Sequence, residues 1–142
     1  MAFTDIYRVS GSAMTAQTVR LNTIASNLAN AETASATEDG VYKARRPVFA
    51  AVYKNDELMH DRALTGARVQ VMDVVETGDA VQRYEPHNPM ANTEGYVYYP
   101  DVNVVEEMAD MMSASRGFET NVEVLNSVKS MQQSLLRLEV GS

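Results

Sequence analysis

The strongest constraint in this sequence is a four–three alternation of apolar and small residues that occupies both ends of the chain and is missing from its middle. Toward the N-terminus it runs Phe3, Tyr7, Ser10, Met14, Gln17, Leu21, Ile24, Leu28. Toward the C-terminus it runs Val104, Met108, Met111, Ser115, Phe118, Val122, Leu125. This spacing puts side chains on one stripe of an α-helix, and strict alternation of four and three is the seam of a coiled coil. Chain ends fray unless packing holds them. Ends that carry the best apolar periodicity are therefore expected to bury against each other and against other subunits, which points to assembly before chemistry.

The first seam predicts a helix from about Phe3 to about Asn30, with Thr4 as its N-cap and Asp5 near the positive end of the dipole. Ile6, Val9, Ala13 and Ala16 form a flanking stripe, so the apolar face is wider than one partner helix covers and two neighbours are expected. The second seam predicts a helix from Asn103 to Glu139. Asn103 and Glu106 have capping-box spacing just after Pro100. Beyond Leu125 the apolar positions come one residue early, at Val128, Met131, Leu135 and Leu138, which predicts local overwinding or a change of partner. Gly117, in a window of small residues from Ser113, costs about 1 kcal/mol relative to Ala. The expected return is close approach of another backbone.

Between the helices the pattern changes. Glu32 to Gly40 (ETASATEDG) has no apolar periodicity and reads as a loop ending in an Asp-Gly turn. Val41 to Tyr53, interrupted by Pro47, suits an edge strand. Ala67 to Val75 alternates as a strand, and Thr77-Gly78-Asp79 offers a turn into Ala80 to Tyr84 as its hairpin partner. Tyr96 to Tyr99 is a short extended stretch. The expected fold is mainly α with a β-rich insertion. Residues 1–31 and 101–142 supply helices of a coiled-coil-like layer, and residues 32–100 a loop and small β domain between them.

No chemistry-bearing constellation is visible. The net charge of −7 argues against a nucleic-acid binder, which needs a positive surface for phosphates. The short basic cluster Lys43, Arg45, Arg46 reads as a solvated strand or loop face. Cysteine is absent, which removes disulfides, thiolate nucleophiles and Cys-ligated metals. No apolar run approaches the ~20 residues that span a bilayer. Asp5 and Arg8 interrupt the first turns, so neither membrane insertion nor a cleaved secretory signal is expected. His60 is followed by Asp61, which could orient an imidazole, but nothing places a nucleophile or a second ligand beside it. His87 sits in a Pro-Asn-Pro turn. Glu106 and Glu107 are adjacent, point in different directions on a helix, and read as dipole and solubility residues. No catalytic, cofactor-binding or metal site is expected. The nine methionines suit a subunit with several non-equivalent contacts, or simply a Met-rich core.

Asn27 and Asn30 share a face at the end of the first helix, where Asn serves as a cap and fixes where the chain leaves. They belong to Ser26-Asn27-Leu28-Ala29-Asn30-Ala31-Glu32-Thr33, which resembles the N-terminal signature of the flagellar rod and hook axial family. Tyr84 to Pro89, ANTEGYVYYP from Ala91 and the long segment from Val102 to Val128 resemble that family's proximal-rod branch. The resemblance implies a structural subunit of the proximal rod, exported by the flagellar type III apparatus without signal cleavage and assembled across the periplasm. Its implied partners are its own copies, other proximal and distal rod proteins, and the adaptor joining rod to MS ring. The expected subunit interface comprises Phe3, Tyr7, Met14, Leu21, Ile24, Leu28, Asn27 and Asn30 with Val104, Met108, Met111, Phe118, Val122 and Leu125. Two other classes fit the same periodicity: a self-contained helical-hairpin binding module, and a type III inner-rod-like component.

Overall fold

A computed structural model describes residues 3–55 and 64–140 of the chain; His60 and Asp61 lie outside them. Helix α1 spans Phe3–Asn30 and helix α2 spans Val104–Val140. Among the described residues four strands lie between: β1 (Ala44–Asn55), β2 (Leu64–Thr77), β3 (Ala80–Tyr84) and β4 (Tyr96–Pro100). Fold class and helix limits agree with the expectation. Asn103 caps α2 through Oδ1, which accepts the Val105 and Glu106 backbone N–H groups at 3.1 and 3.3 Å. Thr4 caps nothing, because α1 already includes Phe3 and Thr4 sits inside its first turn.

The helices pack on each other in opposite directions. Asn27 lies against Glu107, and Gln17 lies over Gly117. Along α2 the buried residues are Glu107, Ala114 and Val128, with half-buried Asn121 completing steps of seven; Met111, Phe118 and Leu125 form the other half of the seam. The heptad period is therefore as read, but its phase is rotated. Val104 and Met108 turn to solvent, at 41% and 56% exposure. Val128 is in register with this line, whereas Met131 and Leu138 come one residue ahead of it and are exposed. The reason is steric: close helix approach selects the small Ala114, fully buried, over bulkier neighbours. A Cβ on Gly117 would sit 3.2 Å from Gln17 Nε2, so the group that approaches is a side chain, not the backbone expected.

The flanking stripe of α1 finds its second neighbour within the chain. β1 and β2 form a long antiparallel ribbon from Ala44↔Thr77 to Asn55↔Leu64, with irregularities after Val48 and Tyr53. It lies along α1, where Ser12 Oγ accepts the Val69 N–H at 3.0 Å and Ala16 is buried. An isolated two-stranded ribbon is marginal in water, so this helix is its support. Pro47 is tolerated because each strand of a two-stranded ribbon keeps a free edge.

β3 does not pair with β2. It pairs with β4, from Ala80↔Pro100 to Tyr84↔Tyr96, and Tyr98 bridges onward to Ser35. The intervening loop supplies the turn chemistry: Asn92 Oδ1 accepts the Glu94 and Tyr96 N–H groups, and Gly95 takes a φ of 85°. A Cβ there would meet the Tyr84 ring at 2.9 Å, so only glycine fits. This built turn, closed by the edge-to-face Tyr84–Tyr96 pair, captures β3. Val97, fully buried, anchors the small sheet.

Candidate assembly surfaces and the junction that orients them

Asn27 is the point where the three long elements meet. It is 1% exposed and uses all four of its hydrogen-bonding positions. Its Nδ2 donates to the Arg45 carbonyl at 2.9 Å and to Glu107 Oε2 at 3.1 Å. Its Oδ1 accepts the Arg45 N–H at 2.8 Å and the Tyr42 hydroxyl at 2.9 Å. A side-chain amide carries the same donor and acceptor as a peptide, so Asn27 meets Arg45 as a neighbouring strand would. The cap is Asn30 alone, whose Nδ2 donates to the Ser26 carbonyl one turn back. The shared cap role read for the two asparagines thus divides. Asn30 closes the helix, and Asn27 ties α1 to β1 and α2.

Glu107 is likewise no solubility residue, being 1% exposed. Its Oε1 lies 3.0 Å from Arg46 Nη2, an ion pair without hydrogen-bond alignment. Arg46 also reaches Asp110 at 3.3 Å, and Asp110 reaches Arg20 of α1 at 3.1 Å. Burying a carboxylate is costly unless it is paired and hydrogen-bonded; here one face of α2 receives an amide and a guanidinium from two other elements. Of the basic cluster, Lys43 is exposed, and the Arg45 guanidinium stays at the surface, pairing with Glu76 at 3.5 Å and lying over the Tyr42 ring, whereas Arg46 crosses to α2. Glu107, Arg46 and Asp110 were not among the expected site residues. The available signal was phase: Glu107 stands seven residues before Ala114.

The expected interface residues divide by exposure. Ile24 and Asn27 are buried inside the chain. Phe3, Met14, Leu21, Leu28, Asn30, Met111, Phe118, Val122 and Leu125 are half-buried, and Tyr7, Val104 and Met108 are exposed. Among the described residues seven apolar side chains are buried, while nineteen large ones are exposed. Large exposed apolar surface of this kind marks a binding face.

Two of the exposed groups lie at opposite ends of α2. Val105, Met108 and Met112 form one near its start; Met131, Leu135, Leu136 and Leu138 form the other near its end. The second group has a geometric cause. α2 has 37 residues against 28 in α1, so in antiparallel pairing nine residues, about 14 Å of helix, run on past Phe3 without α1 beside them. The ribbon adds exposed Phe49, Tyr53, Met72 and Val74. Among the described residues no cluster of His, Asp and Glu could hold a metal ion, and no helix is long and apolar enough to cross a membrane.

Two family descriptions match: "Flagella basal body rod protein" over residues 8–37 and "Flagellar basal body rod FlgEFG protein C-terminal" over residues 93–138. These are the two helical ends. Full-length similarity extends further. The flagellar basal-body rod protein FlgC of Escherichia coli O6:H1 is 45% identical over 139 residues, covering 97% of this chain and 98% of that one. The FlgC proteins of Salmonella typhimurium and Borreliella burgdorferi are 43% and 34% identical, with 97% and 94% of this chain covered and 98% and 95% of theirs.

Proposed function

This chain belongs to the family of the flagellar basal-body rod protein FlgC, and from that premise we propose that it is a torque-bearing subunit of the rod's proximal part. It is a structural subunit of the flagellar basal-body rod, not an enzyme, and it assembles with other rod subunits. The observation that carries the finer reading is the imbalance between a thin internal core and the apolar surface left open on α2 and the ribbon. Each large side chain that a neighbour covers contributes about 1.5–3 kcal/mol, so many such contacts made together form a stiff, torque-transmitting joint.

In this reading Tyr7, Val104 and Met108 meet neighbours directly. The half-buried seam residues complete those contacts at their outer edges. Ile24 and Asn27 act from within, holding the shape of the helix pair and the angle of the ribbon. The neighbours are its own copies, other proximal and distal rod proteins, and the adaptor to the MS ring. The subunit reaches the periplasm through the flagellar type III apparatus, unfolded and without signal cleavage. The small number of buried apolar residues suits a chain that unfolds readily. Deleting the gene tests the assignment: cells are expected to keep the MS ring, lack a rod and fail to swim, with the wild-type gene restoring the rod and swimming. A complete rod in the deletion strain refutes it.

A further inference from the structure

We infer that the β1–β2 ribbon is a strap in two parts: a base fixed to the helix pair, and an arm that pivots at a bulge and lifts from α1. The inference goes beyond the rod-subunit reading, because it concerns motion within one subunit. The pivot is visible in the register. Val48 pairs with Asp73 but Phe49 pairs with Val71, so Met72 has no partner on β1. Such a bulge interrupts the ladder and bends the strand, so the two sides of it turn relative to each other more easily than an unbroken ribbon. Beside it, Asp73 Oδ1 accepts the Val74 N–H at 2.7 Å, a local bond outside the ladder.

The base, residues 44–48 and 73–77, is held from both helices. Asn27 of α1 bonds both backbone groups of Arg45, at 2.8 and 2.9 Å. Arg46 pairs with Glu107 and Asp110 of α2 at 3.0 and 3.3 Å, and Ala44 is buried. The arm, residues 49–53 and 66–71, has no buried side chain. A cleft of about 460 Å³ lies between it and the first turns of α1, lined by Arg8, Val52, Tyr53, Ala67 and Arg68 among others. The latch is Ser12, whose Oγ accepts the Val69 N–H at 3.0 Å. A neutral hydrogen bond of this kind has a net worth close to thermal energy. Opening it strands no buried group: the Ser12 hydroxyl keeps its bond to the Val9 carbonyl at 2.9 Å, and the Val69 N–H, on an edge of the ribbon, meets water. Few buried apolar contacts and a cleft beneath are the marks of a segment that opens at low cost. A base fixed in angle with an arm free to settle lets one subunit fit neighbours that are not equivalently placed.

The chain has no cysteine, so introduced thiols take nitroxide labels at chosen sites alone. Exposed Glu123 of α2 serves as the reference, paired with exposed Gln70 on the arm or exposed Glu76 on the base. Distances in the full-length chain carrying Glu123→Cys with Gln70→Cys, or with Glu76→Cys, are measured by pulsed dipolar EPR. The base pair is expected to give one narrow population, and the arm pair a second population alongside the main one. Ser12→Ala is expected to raise that second population about fivefold, with the base pair unchanged, while Ser12→Thr, which keeps the hydroxyl, leaves both as in the parent chain. An arm distribution as narrow as that of the base, with or without Ser12, overturns the inference. Equal broadening of arm and base removes the pivot, and an arm indifferent to Ser12→Ala removes the latch; either result also overturns it. No rod is needed for the measurement, so its failure leaves the rod-subunit reading to the gene deletion.

Discussion

Asn27 shows how one amide can set the relation of three elements. Its four hydrogen bonds satisfy both backbone groups of Arg45, the Tyr42 hydroxyl and one oxygen of Glu107. Since Tyr42 donates to Asn27, its hydroxyl oxygen is left to accept from Ser26 Oγ, 3.0 Å away. Truncation strands several buried groups at once, and each unsatisfied group costs about 1–3 kcal/mol. Asn27→Ala is expected to destabilise the isolated chain by about 3 kcal/mol in urea unfolding. Asn30→Ala loses one local bond and should cost about 1 kcal/mol. Equal effects at the two positions would contradict the separate roles assigned to them. From the sequence the two asparagines are indistinguishable, because both fall in the last turn of the helix; only the arrival of β1 separates them.

The β3–β4 hairpin carries its own electrostatic lock. Asn88 Nδ2 and the Tyr99 hydroxyl donate to Glu85 Oε2 at 2.9 and 3.0 Å, and Arg83 stacks over the Tyr99 ring. The Asn88 bond first, then the Tyr99 bond, hold the Glu85 carboxyl below its ordinary value of 4.5, while the same bond to Glu85 raises the Tyr99 phenol above 10.0. Folding thus favours the ionised carboxylate. Its contribution is complete above the ordinary glutamate value and drains away as pH falls through the lower folded value. The Tyr99 contribution is complete below pH 10.0 and is lost as pH rises through its higher folded value. Tyr99 ring resonances are therefore expected to shift in acid, below the ordinary glutamate value, and Glu85→Gln to abolish that acid transition. An unchanged transition in the variant rules out Glu85 as its source. The pairing that builds this element was legible only in part. Both strands could be read from their residues, but the choice of β4 over β2 rests on the Asn92–Gly95 turn geometry.

For the molecule as a whole, the overhang of α2 separates folding from assembly. Leu135 and Leu138 are exposed and lie past the end of α1. Replacing both with Asp should change the stability of the isolated chain by no more than about 0.5 kcal/mol. The same variant should fail to restore swimming to cells lacking the chain. Swimming at the wild-type level would show that the overhang bears no load.

Periodicity alone determined that two long helices occupy the ends of the chain, where they begin and stop, and that a β-rich segment lies between, because these follow from local spacing, caps and turn residues. It also determined the period of the α2 seam. The tertiary structure decided the phase, since Ala114 and Glu107 are drawn inward by close packing and by partners from α1 and β1, and hydrophobicity ranks neither above Val104 or Met108. It also decided which apolar residues remain outside. That depends on a difference in length between two antiparallel helices, which becomes a surface only when they are laid side by side.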